Sequence, residues 1–119
     1  MFVKSQFFKI QGEENLQKIS DFVREYHQQA HESNYVGGFL RVYEDYSFFM
    51  GNDLVVCIRV DLNEVENNKI VIEFIVGGGS SGLFGRDLWT RNNSRINHFK
   101  DRLLEFCAAN NLQVLEQAN

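Results

Sequence analysis

Proline is missing altogether from the 119 residues, and only two are cysteines. Without proline the chain lacks the commonest marker of linkers, and its length fits one continuous domain. The two cysteines, Cys57 and Cys107, form no Cys-x-x-Cys pair, so neither a zinc ribbon nor a dithiol redox motif is indicated. Both sit inside apolar patterns, LVVCIRV and LLEFCAAN, as expected of buried, reduced thiols in a cytoplasmic setting. No apolar run approaches the roughly 20 residues needed to span a bilayer. No long apolar stretch follows the first lysine, as a secretory signal would require. Positive charge is also in short supply. The net charge of −4 disfavours nonspecific binding to nucleic acid. There is no internal repeat and no low-complexity tract beyond one run of glycines.

What is present is ordinary globular material, with 44% hydrophobic and 24% charged residues. A chain of this size buries roughly 65% of its unfolded surface and needs neither disulfide nor metal to fold. FVKSQFFKI reads as a first strand, rich in Phe and Val and broken by Gly12. A helix over residues 14–31 follows, with Leu16, Ile19, Phe22, Val23, Tyr26 and Ala30 at steps of three and four. ESNYVGG reads as a turn, FLRVYEDYSFFM as a strand, and Gly51, Asn52 and Asp53 as another turn.

The clearest strands come next. Leu54, Val56, Ile58, Val60 and Leu62 alternate with Val55, Cys57, Arg59 and Asp61. Ile70, Ile72, Phe74 and Val76 alternate with Lys69, Val71, Glu73 and Ile75. Each strand thus has one aliphatic row and one mixed row, the mark of an antiparallel sheet covered on one face. A two-residue Asn67-Asn68 hairpin would mix the rows. A wider loop pairing Leu62 with Ile70 keeps every face consistent and sets Arg59 opposite Glu73. That predicts a cross-strand ion pair worth about 0.2–1 kcal/mol. Asn92, Asn93 and Ser94 offer an N-cap for a second helix carrying Ile96, Phe99, Leu103, Phe106 and Cys107. Asn110 and Asn111 can end it in the left-handed conformation, and LQVLE gives a last strand. The expected fold is an α+β two-layer sandwich in the order β-α-β-β-β-α-β. It has a mostly antiparallel five-stranded sheet with both helices on one face.

IVGGGSSGLFG, residues 75–85, is the one stretch resembling a phosphate cradle. Gly77-x-Gly79-x-x-Gly82 matches a dinucleotide fingerprint in form, but LFGRDLWTRNNS separates it from the expected helix start. Leu83 and Phe84 stand where a P-loop needs Lys and Ser or Thr. Generic anion binding remains, through Gly78, Gly79, Ser80, Ser81, Arg86 and Arg91 at the Gly77–Gly85 loop and the following helix N-terminus. Five basic residues between Arg86 and Arg102 face only Asp87 and Asp101. His27 and His31 lie four apart on the expected helix and share a face, but no third metal ligand is identifiable. His98 has no obvious partner. The aromatics of YEDYSFFM sit in an acidic window, which suits core packing or a protein contact better than base stacking.

The functional expectation is therefore a small soluble, noncatalytic protein-interaction or self-associating module. Its contact surface is the mixed sheet face at Val71 and Ile75 together with Leu83, Phe84 and Trp89. The alternative is a binder of a small phosphate- or carboxylate-bearing ligand at the glycine loop. The partner is protein, a second copy included, with no nucleic acid and no membrane. No cofactor and no metal are expected.

Overall fold

A computed structural model describes residues 2–47, 52–78 and 85–118. The chain forms β1 (Phe2–Gln11), α1 (Lys18–Tyr26), β2 (His31–Tyr35), β3 (Gly38–Ser47), β4 (Asn52–Asp61), β5 (Lys69–Gly78), α2 (Gly85–Ala109) and β6 (Gln113–Ala118). The strands make one sheet in the order β2-β3-β4-β5-β1-β6, and every neighbouring pair is antiparallel. Both helices lie on one face, giving the α+β sandwich expected from the pattern.

Alternation explains the core. Leu54, Val56, Ile58 and Val60 on β4 join Ile70, Ile72, Phe74 and Val76 on β5, Phe8 and Ile10 on β1, and Ile19, Val23, Phe99 and Leu103 from the helices. Val60 and Ile72 are 0% exposed. The β4–β5 register pairs Asp61 with Val71 and Arg59 with Glu73, the register that the wider loop requires. A short 3-10 turn at Val65–Asn67 fills that loop, and Asn68 closes it in the left-handed region at φ 61°. Arg59 Nε donates to Glu73 Oε1 at 3.1 Å. The end of α2 also follows the sequence: Asn111 adopts φ 57° and Leu112 N donates to Cys107 O at 2.9 Å.

Four expectations about element boundaries need correction. The sheet has six strands rather than five, because the ESNYVGG segment contains β2. This strand has almost no apolar signature. It exists because it pairs along β3, from His31 opposite Val42 to Tyr35 opposite Gly38. Its inward carboxylate, Glu32, is held by two arginines: Arg24 Nε donates to it at 2.9 Å and Arg41 Nη1 at 2.8 Å. A polar edge strand with an inward charge also discourages edge-to-edge pairing. Gly37, in the tight turn after β2, has φ 96°, and a Cβ there would meet Asn63 Oδ1 at 2.4 Å.

The second correction is that α1 is shorter than residues 14–31. Asn15 takes φ 67°, so the regular helix begins only at Lys18. At the other end His27 is extended, at φ −144° and ψ 103°. Arg41 Nη2 donates to the carbonyls of His27 and Gln28, at 3.0 and 3.4 Å, and so caps the end of the helix. The third is that α2 starts at Gly85, before Asn92, Asn93 and Ser94, which lie within it. Lys4 Nζ donates to Asn93 Oδ1, tying α2 to β1. The fourth is that β4 begins at Asn52, so Asn52 and Asp53 are strand residues paired with Ser47 and Tyr46.

The Glu32 cluster gives a pH prediction. Hydrogen bonds from Arg24 and then Arg41 hold the Glu32 carboxyl below its ordinary value. A depressed folded-state pKa adds stability above the unfolded pKa, and that stability is lost as pH falls through the folded pKa. Denaturant unfolding should therefore show Glu32→Gln less stable than the parent at neutral pH. The gap should close as the pH is lowered below about 4. A gap independent of pH would contradict the assignment.

Candidate functional site

Because register fixes which residues stand side by side, the helix-free face of the sheet can be read row by row. One row runs Val42, Cys57, Ile75, Ser5 across β3, β4, β5 and β1. The next runs Leu40, Arg59, Glu73, Phe7. On the other side of the first row, Val55 and Val3 flank Gly77. Val3 is 57% exposed and Val55 46%, far above the buried rows behind them. Three ion pairs lie on or beside this face. Arg59 bonds Glu73 and also approaches Asp61 at 3.5 Å, and Lys9 lies 3.3 Å from Glu64. The surface is thus a short aliphatic band bordered on one side by the Arg59–Glu73 pair, with Glu44 opposite Val55 on the other. Cys57 belongs to this band. It is half-buried rather than in the core, and burial, then the nearby Glu73 charge, push its thiol pKa up. Cys107 is buried as expected, and burial raises its thiol to about 11. Both thiols are free.

The helix side holds a second feature. A cleft of about 430 Å³ opens between the end of α1, the middle of α2 and β3, lined by Tyr26, His27, Tyr43, Asp45, Arg95 and Arg102, among others. Residues far apart in sequence meet there. The His27 and Tyr43 rings stack 3.8 Å apart at 9°. Tyr26 Oη lies 2.7 Å from His98 Nδ1, and Arg95 Nε donates to Asp45 Oδ2. Burial raises the Tyr26 phenol to about 12 against the lowering charges of Arg102 and Arg95, and burial likewise pushes Tyr43 up. Both phenols are neutral near pH 7. His27 Nδ1 is buried without a hydrogen-bond partner among the described residues, an arrangement that costs about 1–3 kcal/mol.

The sequence-predicted site residues fare unevenly. Val71 and Ile75 both lie on the open sheet face. Ile75 sits in the aliphatic band, and Val71 stands between Asp61 and Lys9, one row beyond the Arg59–Glu73 pair. Gly79, Ser80, Ser81, Leu83 and Phe84 fall outside the described residues. Gly77 and Gly78 are not loop residues: they continue β5, and Gly78 pairs with Phe2 and Leu54 in the ladder. Gly85, Arg86, Trp89 and Arg91 lie on α2 rather than in a loop, and their side chains are outside the described set. His27 and His31 do not share a helix face. His27 follows α1, while His31 opens β2 and approaches Ser33 Oγ at 3.3 Å through Nε2. Sequence reasoning missed Tyr26, Tyr43, Asp45, Arg95, His98 and Arg102 as a group. Their only local signal was the spacing of Arg95, His98 and Arg102 along one side of α2. Among the described residues no group of three or more His, Cys, Asp or Glu side chains is placed to hold a metal, and no helix is long and apolar enough to cross a membrane. Comparison with protein-family models, with curated proteins and with solved structures gives no match for this chain.

Proposed function

We propose that this domain is a noncatalytic self-associating module whose contact surface is the open face of the sheet, and that its partner is a second copy of the same chain. The observation that carries the reading is the adjacency of the Val42–Cys57–Ile75 row to the Arg59–Glu73 pair. A two-fold axis parallel to the strands, above the line between β4 and β5, sets β4 of one copy over β5 of the other. Arg59 of one copy then meets Glu73 of the other, twice, and Cys57 meets Ile75. Leu40 meets Phe7 in the same way. The face is therefore complementary to itself in charge, as an isologous contact requires. Packing sheets in this way, tilted by about 30°, is a common solution for two aliphatic faces.

Sedimentation velocity tests the reading. Ile75→Lys puts a charge at the centre of the band without touching the buried rows. It should convert a dimer to a monomer while leaving the far-ultraviolet circular dichroism unchanged. Alkylation of Cys57 should slow as the concentration of the parent protein rises and lose that dependence in Ile75→Lys. A parent protein that stays monomeric at high concentration removes the proposal.

A further inference from the structure

The cleft on the helix side is separate from the open sheet face, and its chemistry is different. We propose that the cleft between α1, α2 and β3 binds a small aromatic monocarboxylate, its ring against the His27–Tyr43 stack and its carboxylate between His98 and Arg102.

Shape sets the size of the guest. A volume of about 430 Å³ lies within the range of small-molecule sites, roughly 300–1,000 Å³. The walls set its body. Phe22 and Tyr26 line the cleft beside the stacked His27 and Tyr43 rings, so the guest meets aromatic surface on more than one side. A flat ring gains most there, through offset or edge contacts.

The polar groups set its charge. Arg95 commits its Nε to Asp45, which fixes the guanidinium in the wall and neutralises that carboxylate. Arg102 is exposed at the cleft and has neither a hydrogen bond nor an ion pair to a described residue. His98 is oriented by Tyr26 through Nδ1. In the tautomer where the Tyr26 hydroxyl donates to Nδ1, the imidazole proton resides on Nε2, which can then donate to a guest. A planar carboxylate accepts from a guanidinium and an imidazole N–H at once. Glu25, also in the lining, opposes a second negative group, which limits the guest to a single anionic charge.

Benzoate is the probe, followed by the imidazole C–H resonances of His27 and His98 in the full-length protein. Benzoate should shift both resonances saturably. Acetate has the charge without the ring, and benzyl alcohol the ring without the charge, so each should bind at least about tenfold more weakly, a difference of about 1.4 kcal/mol. Arg102→Ala should weaken benzoate by about the same factor with the circular dichroism unchanged, because the side chain is exposed. Tyr26→Phe should keep the fold, lose the orientation of His98 and also weaken benzoate. Inorganic phosphate or acetate binding as tightly as benzoate would overturn the assignment, as would equal affinity in Arg102→Ala or the lack of a saturable shift. Sedimentation of these variants should match the parent, so failure here is distinguishable from failure of the dimer.

Discussion

Replacing Phe99 by Ala is expected to cost about 3–5 kcal/mol of unfolding free energy. Phe99 is 0% exposed and stands at the centre of an aromatic cluster. Its ring stacks on Phe74 with centroids 4.5 Å apart, meets Tyr26 edge-on at 5.0 Å, and touches Phe22 and Phe8 at 5.9 and 6.0 Å. Those four partners come from β5, α1 and β1, so the ring is where both helices and the sheet meet. Truncation leaves a cavity bounded by aromatic groups that cannot collapse without moving a helix. Against a typical total of about 5–15 kcal/mol, the loss is a large part of the whole. Chemical denaturation should show the midpoint falling with little change in slope. Phe99→Leu keeps most of the volume and should lose clearly less. If Phe99→Ala cost under about 1 kcal/mol, closer to a surface substitution than to a core one, Phe99 would not be the residue that joins the two layers.

Arg59→Glu and Glu73→Arg are each expected to abolish self-association, and an equimolar mixture of the two variants is expected to restore it as a heterodimer. In either variant alone, the proposed two-fold contact gathers four charges of one sign. Juxtaposed like charges at an interface cost several kcal/mol, and about 3 kcal/mol is roughly a hundredfold in Kd. The mixture removes the conflict. A chain with carboxylates at both positions then faces a chain with guanidinium groups at both, so each contact regains opposite signs. Within each chain the like charges remain side by side on β4 and β5, costing only about 0.2–1 kcal/mol, so each variant should still fold. Sedimentation velocity of the separate and mixed samples reads the result. A mixture that sediments as two independent monomers would eliminate this interface, even if some other surface supports a dimer.

The two features place their demands on different layers of the sandwich. Rows of the open face come from alternation on β4 and β5, where outward Val55, Cys57 and Ile75 stand between inward core residues. The cleft cannot arise from alternation alone. It depends on Arg41 ending α1 near β3, which brings His27 onto Tyr43. It also depends on α2 lying so that His98 reaches Tyr26.

The amino-acid sequence by itself determined the parts governed by short periods. Alternation with a period of two placed Val60 and Ile72 inside and Arg59 opposite Glu73. Steps of three and four placed Ile96, Phe99, Leu103 and Cys107 on the inner side of α2, and Asn111 closed it. These are consequences of backbone geometry acting over a few residues. Tertiary structure alone decided the rest. β2 is a strand because β3 offers it a ladder and Arg24 and Arg41 satisfy its inward Glu32. Gly77 and Gly78 are strand residues because β1 and β4 flank them on both sides. Tyr26 and His98 are 72 residues apart in the chain, and Asp45 and Arg95 are 50 apart. No local pattern encodes such meetings, because they arise only when two layers, each folded for its own reasons, close on a shared core.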